Sequence, residues 1–304
     1  MANHKRKIPF VLQLNLILSV LFMLAIYPFP TLSQKYSTQP FGFLKQLEGC
    51  HKGETVKGLH EAKQYLKKFG YLNAEIRHED VDYFDDALEA AIKSYQLNYN
   101  LETSGYLDTS TVKQMMMPRY HHRENAKNNG SLHIVSHYNF FRGNPKWLPE
   151  KMELIYRFRS SAAANVDLPT LESACARALS SWAAVSNFRF RVPASTQERN
   201  DIVMGFHRGD HGDGFKFDGP LGTLAHAFAP QNGRLHMDAD ENWSTNPDES
   251  MFDLETVCLH ELGHILGLHH SFDTTADMYS GIDLGQQKRT PTTDDIDGLR
   301  ALYS

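Results

Sequence analysis

The stretch HELGHILGLHHS runs from His260 to Ser271, and the C-terminal half of the chain has to fold around it. Residues four apart lie on nearly the same face of an α-helix, so His260 and His264 can bind one ion together. Gly267 can adopt a backbone angle that a residue with a Cβ atom resists, which lets the chain turn and bring His270 to the same ion. The stretch therefore predicts a metal site made by a helix and the turn that follows it.

The residue types in this stretch indicate a catalytic zinc site. Three histidine nitrogens leave a tetrahedral Zn²⁺ with an open fourth position for water, whereas structural zinc sites use four protein ligands. Glu261 is placed to take a proton from that water as a general base. The pattern H-E-x-x-H-x-x-G-x-x-H resembles that of metzincin peptidases, and Met278 lies where those enzymes carry a Met-turn beneath the metal.

Composition and the N-terminal sequence limit the class of protein. With 304 residues, 41% hydrophobic and 22% charged, the chain can hold a leader and about two globular domains. A net charge of −5 gives no reason to expect a nucleic-acid partner. Basic residues at 5–7 precede an apolar run at 8–27, which predicts a signal peptide over residues 1–33, with an uncleaved anchor as the alternative.

After removal of the signal we expect a monomer without a membrane anchor, located in the extracellular matrix or cell wall. Asn129 and Asn242 lie in N-x-S sequons and become glycosylation acceptors if the chain is exported. Cys175 falls on an apolar helical stripe and Cys258 lies on the side of its helix away from the metal, so we predict that both are buried core residues. Cys50 could be free, paired between chains or bridged to one of the other two.

Between the leader and residue 120 the sequence predicts a bundle of three short helices. Apolar residues recur at helical spacing over residues 56–69 and 84–99. A third helix can be capped near Asp108 and is stopped by Pro118. Residues 35–55 are polar and contain glycine, and we predict a loop there. Residues 121–130 are also polar and predict a linker that could be cleaved.

The C-terminal half alternates between predicted strands and helices. A strand, a helix and a strand in succession imply at least one parallel crossover, so we expect an α+β domain. The predicted strands are residues 134–138, 153–158, 188–192, 201–206 and 223–228, and the predicted helices are residues 168–185, 253–266 and 292–302.

The two halves together resemble the matrix metalloproteinases, or matrixins. The segments FGYL at 69–72 and LETSGYLD at 101–108 resemble the peptidoglycan-binding-like prodomain of that family, most closely that of the plant matrixins. The resemblance runs from about residue 41 to the C-terminus. It implies an all-α propeptide and activation linker over residues 34–130. A metzincin catalytic domain would follow over residues 131–304, with a twisted, mixed, mostly parallel five-stranded sheet and three helices.

A second group of candidate metal ligands lies between Asp210 and Trp243. Three histidines and one aspartate can close a tetrahedral zinc site that has no open position. Three more carboxylates, among glycines whose carbonyl groups can face inwards, suit Ca²⁺. In matrixins the matching positions bind a structural zinc and a calcium ion, and the resemblance implies the same here. The predicted ligands are His211, Asp213, His226 and His236 for the structural zinc, and Asp218, Asp238 and Glu241 for calcium.

The resemblance implies a zinc-dependent endopeptidase that hydrolyses internal peptide bonds of extracellular proteins or peptides. A zinc-bound water attacks the peptide carbonyl, and Glu261 takes its proton and passes it to the leaving amine. A strand edge around Leu224 and Ala225 would pair with an extended substrate. The specificity pocket would lie behind the zinc, between the helix and the loop 279–291. That loop has Ser280 where relatives often have proline, so their side-chain preference is not carried over.

One expected residue of the propeptide is missing. Most matrixin propeptides end in P-R-C-G-x-P-D, whose cysteine occupies the fourth position of the zinc, but this chain has Tyr120 there. Either the switch is lost and the propeptide serves folding alone, or Tyr120, His121 or His122 replaces the thiol as a ligand. Two other functions compete with an active enzyme. One is a metal-stabilised extracellular protein whose helical module binds polysaccharide, and the other is a peptidase locked by its altered propeptide.

Overall fold

The computed structural model describes residues 40–73, 81–120 and 137–304. Asn242, one of the two predicted glycosylation acceptors, is described and exposed. None of the described helices is long and apolar enough to cross a membrane. The predicted features that lie outside the described residues are the signal peptide, the linker over 121–130, the start of the strand at 134–138, His121, His122 and Asn129.

The N-terminal helical region, residues 40–120, contains the three predicted α-helices. The Asp85 carboxylate accepts a hydrogen bond from the Leu88 N–H, and the Asp108 carboxylate accepts one from the Thr111 N–H. These caps satisfy N–H groups that a helix leaves unbonded in its first turn. The helices are α1 at Leu59–Lys68, α2 at Asp86–Asn98 and α3 at Thr109–Met115.

The prediction of a loop over residues 35–55 is wrong in its middle part. A 3₁₀-helix runs over Gly42–Leu47, and Phe41, Leu44 and Leu47 are buried in the core of the helical region. Because a 3₁₀-helix has three residues per turn, side chains spaced by three share one face. Three apolar residues at this spacing are too few to stand out in a polar stretch.

The C-terminal region, residues 137–304, is built on a five-stranded sheet with the order β3-β2-β4-β6-β5. The first four strands in this order are parallel neighbours, and the edge strand β5 is antiparallel to β6. The predicted mixed, mostly parallel sheet is therefore confirmed. The strands are β1 Asn139–Phe140, β2 Glu153–Phe158, β3 Arg189–Arg191, β4 Ile202–His207, β5 Ala225–Ala227, β6 Arg234–Asp238, β7 Trp243–Ser244, β8 Phe252–Asp253 and β9 Leu268–His269.

Three helices complete the C-terminal region, as predicted. They are α4 at Leu168–Val185, α5 at Leu254–Ile265 and α6 at Thr293–Tyr303. Helices α4 and α5 pack together, and the Trp182 indole N–H donates to the Leu259 carbonyl at 2.9 Å. This packing fixes the helix that carries the histidine motif against the longest helix of the region.

Two cysteines link α4 to α5. Cys175 and Cys258 are fully buried, as predicted, but they form a disulfide, so the prediction of two separate core residues is incomplete. The two cysteines are separated by 83 positions in the chain, and the helix faces that carry them meet only when the two helices pack. Of the alternatives for Cys50, the described structure has the free thiol, and its burial raises the thiol pKa.

The end of the helical region lies in the C-terminal region as a short inserted strand. Backbone hydrogen bonds of 3.1 Å join Arg119 to Gly222 and Leu224 on one side and Tyr120 to Ser280 on the other. The extended segment at Arg119 and Tyr120 therefore connects the backbone at residues 222–224 with the backbone at residue 280. The inserted strand thus occupies a groove of the C-terminal region.

Each region also buries one aromatic side chain of the other. Tyr120 packs in the hydrophobic core of the C-terminal region, and Tyr279 packs in the core of the helical region. Tyr99 meets the Tyr279 ring edge to face, and its hydroxyl is hydrogen-bonded to the Ser280 hydroxyl at 2.8 Å. Apolar and aromatic contacts therefore hold the inserted strand in place.

Candidate metal centre

The first cluster consists of His260, His264 and His270, which are all buried. One nitrogen of each lies within 4.8 Å of the others. Helix α5 brings the first two together. At Gly267 the backbone takes φ +106°, and a Cβ atom there would lie 2.7 Å from the Pro145 carbonyl oxygen. Glycine therefore permits the tight turn that carries the third histidine to the other two.

Backbone carbonyl groups orient the two helical histidines. His260 Nδ1 lies 2.7 Å from the Asp277 carbonyl oxygen, and His264 Nδ1 lies 2.8 Å from the Leu268 carbonyl oxygen. A proton held on Nδ1 leaves the Nε2 lone pair for a metal. Burial lowers the pKa of both imidazoles, which favours the neutral form that binds metals. His260 Nε2 is buried and has no hydrogen-bond partner among the described residues, so the cluster fits a zinc ion.

Glu261 lies beside this cluster in an unusual environment for a carboxyl group. Its side chain is 0% exposed, and neither oxygen has a hydrogen-bond partner in the described part of the chain. Burial raises its pKa well above the ordinary value. A carboxyl group with a raised pKa holds a proton more strongly than an ordinary one, which suits a general base.

Met278 packs directly against helix α5. A Cβ atom at Gly263, between the two helical histidines, would collide with the Met278 sulfur. Met278 is almost completely buried, and the backbone of the preceding residue holds His260. The turn with Met278 therefore packs against the helix that carries the first cluster, at the place predicted for a Met-turn.

The second cluster consists of His211, Asp213, His226 and His236. One Asp213 carboxylate oxygen lies 2.9 Å from His211 Nε2, 2.6 Å from His226 Nε2 and 2.8 Å from His236 Nδ1. His226 on β5 and His236 on β6 are directly opposite in the antiparallel pair. Burial lowers the pKa of both, that of His236 to about 3. Three imidazoles and a carboxylate match a closed tetrahedral zinc site.

His207 lies beside the second cluster and was not predicted from the sequence. The His207 ring lies 4.1 Å from that of His236, and its Nδ1 is 2.7 Å from the Ser161 hydroxyl. Burial lowers the His207 pKa to about 4. Strand β4 carries this residue, and only the pairing of β4 with the unpredicted β6 brings it to the cluster. Sequence spacing gives no signal for it.

The three predicted calcium ligands lie at the loop 218–223, where Asp218 accepts from the Thr223 N–H and Glu241 accepts from the Leu221 N–H. Burial raises the pKa of Asp238 to about 6 and that of Glu241 to about 8. One oxygen of Asp238 is buried without a hydrogen-bond partner among the described residues, which fits a bound cation. Asp218 differs, because Lys68 of helix α1 lies 2.9 Å from its carboxylate. The helical region therefore contacts one of the three carboxylates directly.

The predicted substrate edge is covered by the inserted strand. β5 is the edge strand of the sheet, and Leu224 and Ala225 are both fully buried. The Leu224 N–H donates to the Arg119 carbonyl. The Tyr120 ring stacks on the His260 imidazole with centroids 3.5 Å apart and 11° between the planes. Tyr120, a predicted latency ligand, therefore lies against the first cluster.

Comparisons with known proteins agree with this geometry. The family model described as "Matrixin" matches residues 146–304, and the model described as "Putative peptidoglycan binding domain" matches residues 55–115. Metalloendoproteinase 1 of Glycine max is 43% identical over 263 residues, which cover 83% of this chain and 84% of the relative.

Two further relatives extend the match. Metalloendoproteinase 2-MMP of Arabidopsis thaliana is 39% identical over 279 residues, 84% of this chain and 73% of the relative. Matrilysin of Homo sapiens is 34% identical over 250 residues, 80% of this chain and 84% of the relative. Family models and relatives thus cover both the helical region and the region with the two histidine clusters. The chain therefore belongs to the matrixin family and is a metallopeptidase of the type found in plants.

Proposed function

We propose that this matrixin is a secreted zinc endopeptidase that cleaves internal peptide bonds of extracellular proteins with Glu261 as the general base. One observation carries the proposal. A fully buried carboxyl group, without a hydrogen-bond partner among the described residues, directly follows the first histidine of a buried cluster of three. A scaffold that only bound metal would gain nothing from this costly burial, whereas a peptidase needs a base there.

The roles of the residues follow from their positions. A bound zinc ion would supply the Lewis acid that polarises the scissile carbonyl and makes water acidic. His260, His264 and His270 would hold it. Glu261 takes a proton from the attacking water and delivers it to the leaving amine, so the products are a carboxylic acid and an amine. The edge at Leu224 and Ala225 can hydrogen-bond an extended peptide, as it now bonds the inserted strand.

The other metal ions would have structural roles. His211, Asp213, His226 and His236 would close a zinc site on two strands and a loop, which stabilises the sheet edge next to the cleft. Asp218, Asp238 and Glu241 would bind calcium, since buried acidic oxygens are stabilised as anions by a divalent cation. The structural zinc proposal is supported by the convergence of its four donor atoms. The calcium proposal is supported by the buried Asp238 oxygen, which has no hydrogen-bond partner among the described residues.

The helical region would act as a propeptide that keeps the full-length chain latent. Support comes from the inserted strand, which covers the substrate edge, and from Tyr120, which stacks on His260. Tyr120, His121 and His122 are the candidate zinc ligands in place of the family's cysteine. The proposed boundaries are a signal peptide over 1–33, a propeptide and linker over 34–130, and a catalytic domain over 131–304. Asn129 and Asn242 would be glycosylated during export.

The test uses a quenched peptide library and the full-length chain, both as purified and after limited proteolysis. We expect chelator-sensitive cleavage that rises after proteolysis and is absent in Glu261→Ala. Glu249→Gln, an exposed acidic residue outside both clusters, is the matched control and should behave as the wild type. Equal cleavage by wild type and Glu261→Ala before and after proteolysis would falsify the peptidase proposal.

A further inference from the structure

The helical region contains a third group of side chains that can bind a metal ion, and neither histidine cluster includes it. His60 and Glu61 lie in the first turn of helix α1, and Asp82 lies 22 residues beyond His60. The His60 Nδ1 atom is 2.9 Å from Glu61 Oε2 and 3.2 Å from Asp82 Oδ1. All three atoms lie within 4.8 Å of one another. One nitrogen and two carboxylate oxygens therefore converge at the start of α1.

Backbone hydrogen bonds fix the position of Asp82 beside the helix. Its Oδ1 atom accepts from the N–H groups of Gly58 and His60, both at 3.1 Å. Such N–H groups at the start of a helix have no partner within the helix itself. The Val56 N–H also donates to the Asp82 carbonyl at 3.0 Å. The backbone therefore holds this carboxylate next to the His60 imidazole, whatever contact the two side chains make.

Hydrogen bonding leaves one of the three atoms without a partner. His60 Nδ1 is hydrogen-bonded to Asp82 Oδ1. Glu61 Oε2 is buried and has no hydrogen-bond partner among the described residues, although it lies 2.9 Å from the same imidazole nitrogen. A buried carboxylate oxygen without a donor is unfavourable, and the neighbouring carboxylate of Asp82 adds repulsion. A divalent cation between the three atoms would bind all of them at once.

The spacing of the three atoms is close to that of the second cluster. There one Asp213 oxygen lies between 2.6 and 2.9 Å from three imidazole nitrogens. Zinc bonds of about 2.0–2.2 Å place tetrahedral ligand atoms about 3.4 Å apart, so both sets have to open by less than about 1 Å. An imidazole nitrogen among the ligands favours Zn²⁺ or Cu²⁺ over Ca²⁺ and Mg²⁺. The three atoms therefore fit a zinc ion.

We propose that His60, Glu61 and Asp82 form a third zinc site, in which water fills the remaining positions around the ion. The three side chains are 42%, 44% and 27% exposed, so the ion exchanges with solvent and binds more weakly than in a closed site, with a Kd on the order of 10 µM. A bound ion joins the start of α1 to the segment at Asp82 and stabilises the helical region, from which the inserted strand extends. The site does not depend on the proposed peptidase function.

The first experiment counts exchangeable zinc ions. The full-length chain is dialysed to remove loosely held metal, kept in excess calcium to occupy sites with oxygen ligands alone, and titrated with zinc chloride by calorimetry. We expect one further zinc ion in the wild type, none in His60→Ala, and binding about tenfold weaker in Glu61→Gln.

His51→Ala is the matched control for this titration. His51 is an exposed histidine of the same region, but its Nδ1 atom lies 3.2 Å from a single carboxylate, that of Glu54. This variant should bind the further zinc ion as the wild type does. No further ion in the wild type, an ion that survives His60→Ala, or equal loss in both histidine variants overturns the proposal.

The second experiment uses the wild-type chain, so no substitution can disturb folding. Diethyl pyrocarbonate modifies imidazoles that have a free lone pair, and mass spectrometry locates the modified residues. With zinc at ten times its Kd, we expect His60 to react about tenfold more slowly, because the metal occupies one nitrogen and a proton the other. His51 should react at an unchanged rate, and magnesium should protect neither histidine. Modification of His60 at the same rate with and without zinc would refute the site.

Discussion

The first cluster takes its three histidines from one helix and the turn after it, whereas the second takes its four side chains from a loop and two paired strands. Their acidic residues differ as well. Asp213 touches all three histidines of the second cluster, but Glu261 stands outside the first triad without a hydrogen-bond partner among the described residues. Four protein donors that include a carboxylate would fill all positions of a tetrahedral zinc ion. Three histidines with a separate carboxyl group would leave one position open for a reactant.

The largest expected effect comes from exchanging the acid for its amide in each cluster. Glu261→Gln should lower kcat/KM about 10³-fold, because the amide accepts no proton, while zinc content and Tm stay the same. Asp213→Asn should instead release one zinc and lower Tm, with activity falling only as folded protein is lost. Steady-state kinetics, metal analysis and thermal unfolding measure these effects. Activity of Glu261→Gln within tenfold of wild type would remove the distinction between the clusters.

A pair of histidine variants tests which imidazoles belong to the second cluster. His226→Gln should lose one zinc per chain and lower Tm by about 10 °C, because a structural metal contributes directly to folding. His207→Gln is the matched control, since its ring is next to His236 but hydrogen-bonded to Ser161. It should keep both zinc ions and shift Tm by only about 2 °C. The reverse result would make His207 the ligand.

Breaking the disulfide should lower stability without removing either metal ion. The double change Cys175→Ala/Cys258→Ala should lower the free energy of unfolding by about 3 kcal/mol, because the bond restrains a long loop in the unfolded chain. Denaturant titration under oxidising conditions measures this, with Cys50→Ala as the control for a buried thiol. Zinc content should remain two per chain. Loss of zinc from the first cluster would show that helix packing alone does not position α5.

The smallest effect concerns the contact between the helical region and the carboxylates beside the second cluster. Lys68→Met removes the ammonium group that is paired with Asp218, so calcium should bind about two- to fivefold more tightly to the full-length chain. The neighbouring Lys67→Met, which changes an exposed lysine, should leave the affinity unchanged. Calcium titration by calorimetry distinguishes them. Unchanged affinity in Lys68→Met means that calcium does not compete with this ion pair.

Much of the fold could be predicted because its signals are local. Helices α1 to α6 have apolar periodicity, helices α2 to α6 also have capping side chains, and the prediction of all six is confirmed. Strand β6 was missed because Arg234, His236 and Asp238 alternate with apolar residues in a stretch that also has the composition of a metal-binding loop. In the sheet the pattern has a clear meaning, since His236 faces the second cluster while Leu235 and Met237 enter the core.

The residues of the candidate site divide in the same way. Spacing alone predicts that His260, His264 and His270 converge, and the described structure has them within 4.8 Å. Their roles, and those of the other predicted ligands, remain predictions for the experiments above. Asp277 gives no signal in the sequence, because one acidic residue in a polar turn is ordinary. Its two buried carboxyl oxygens, which have no hydrogen-bond donor among the described residues, are visible only in the folded chain.

The sequence by itself determined the family, the order of the helices and the first cluster, because each depends on residues within a few turns of one another. The tertiary structure decided the pairing of Cys175 with Cys258, the place of His207 and the exchange of Tyr120 and Tyr279 between the two regions. These contacts join residues that are far apart in the chain, and burying apolar surface brings them together. Local spacing does not encode which buried faces meet. The sequence therefore shows that Tyr120 replaces the family's cysteine, but only the tertiary structure shows which residues surround its side chain.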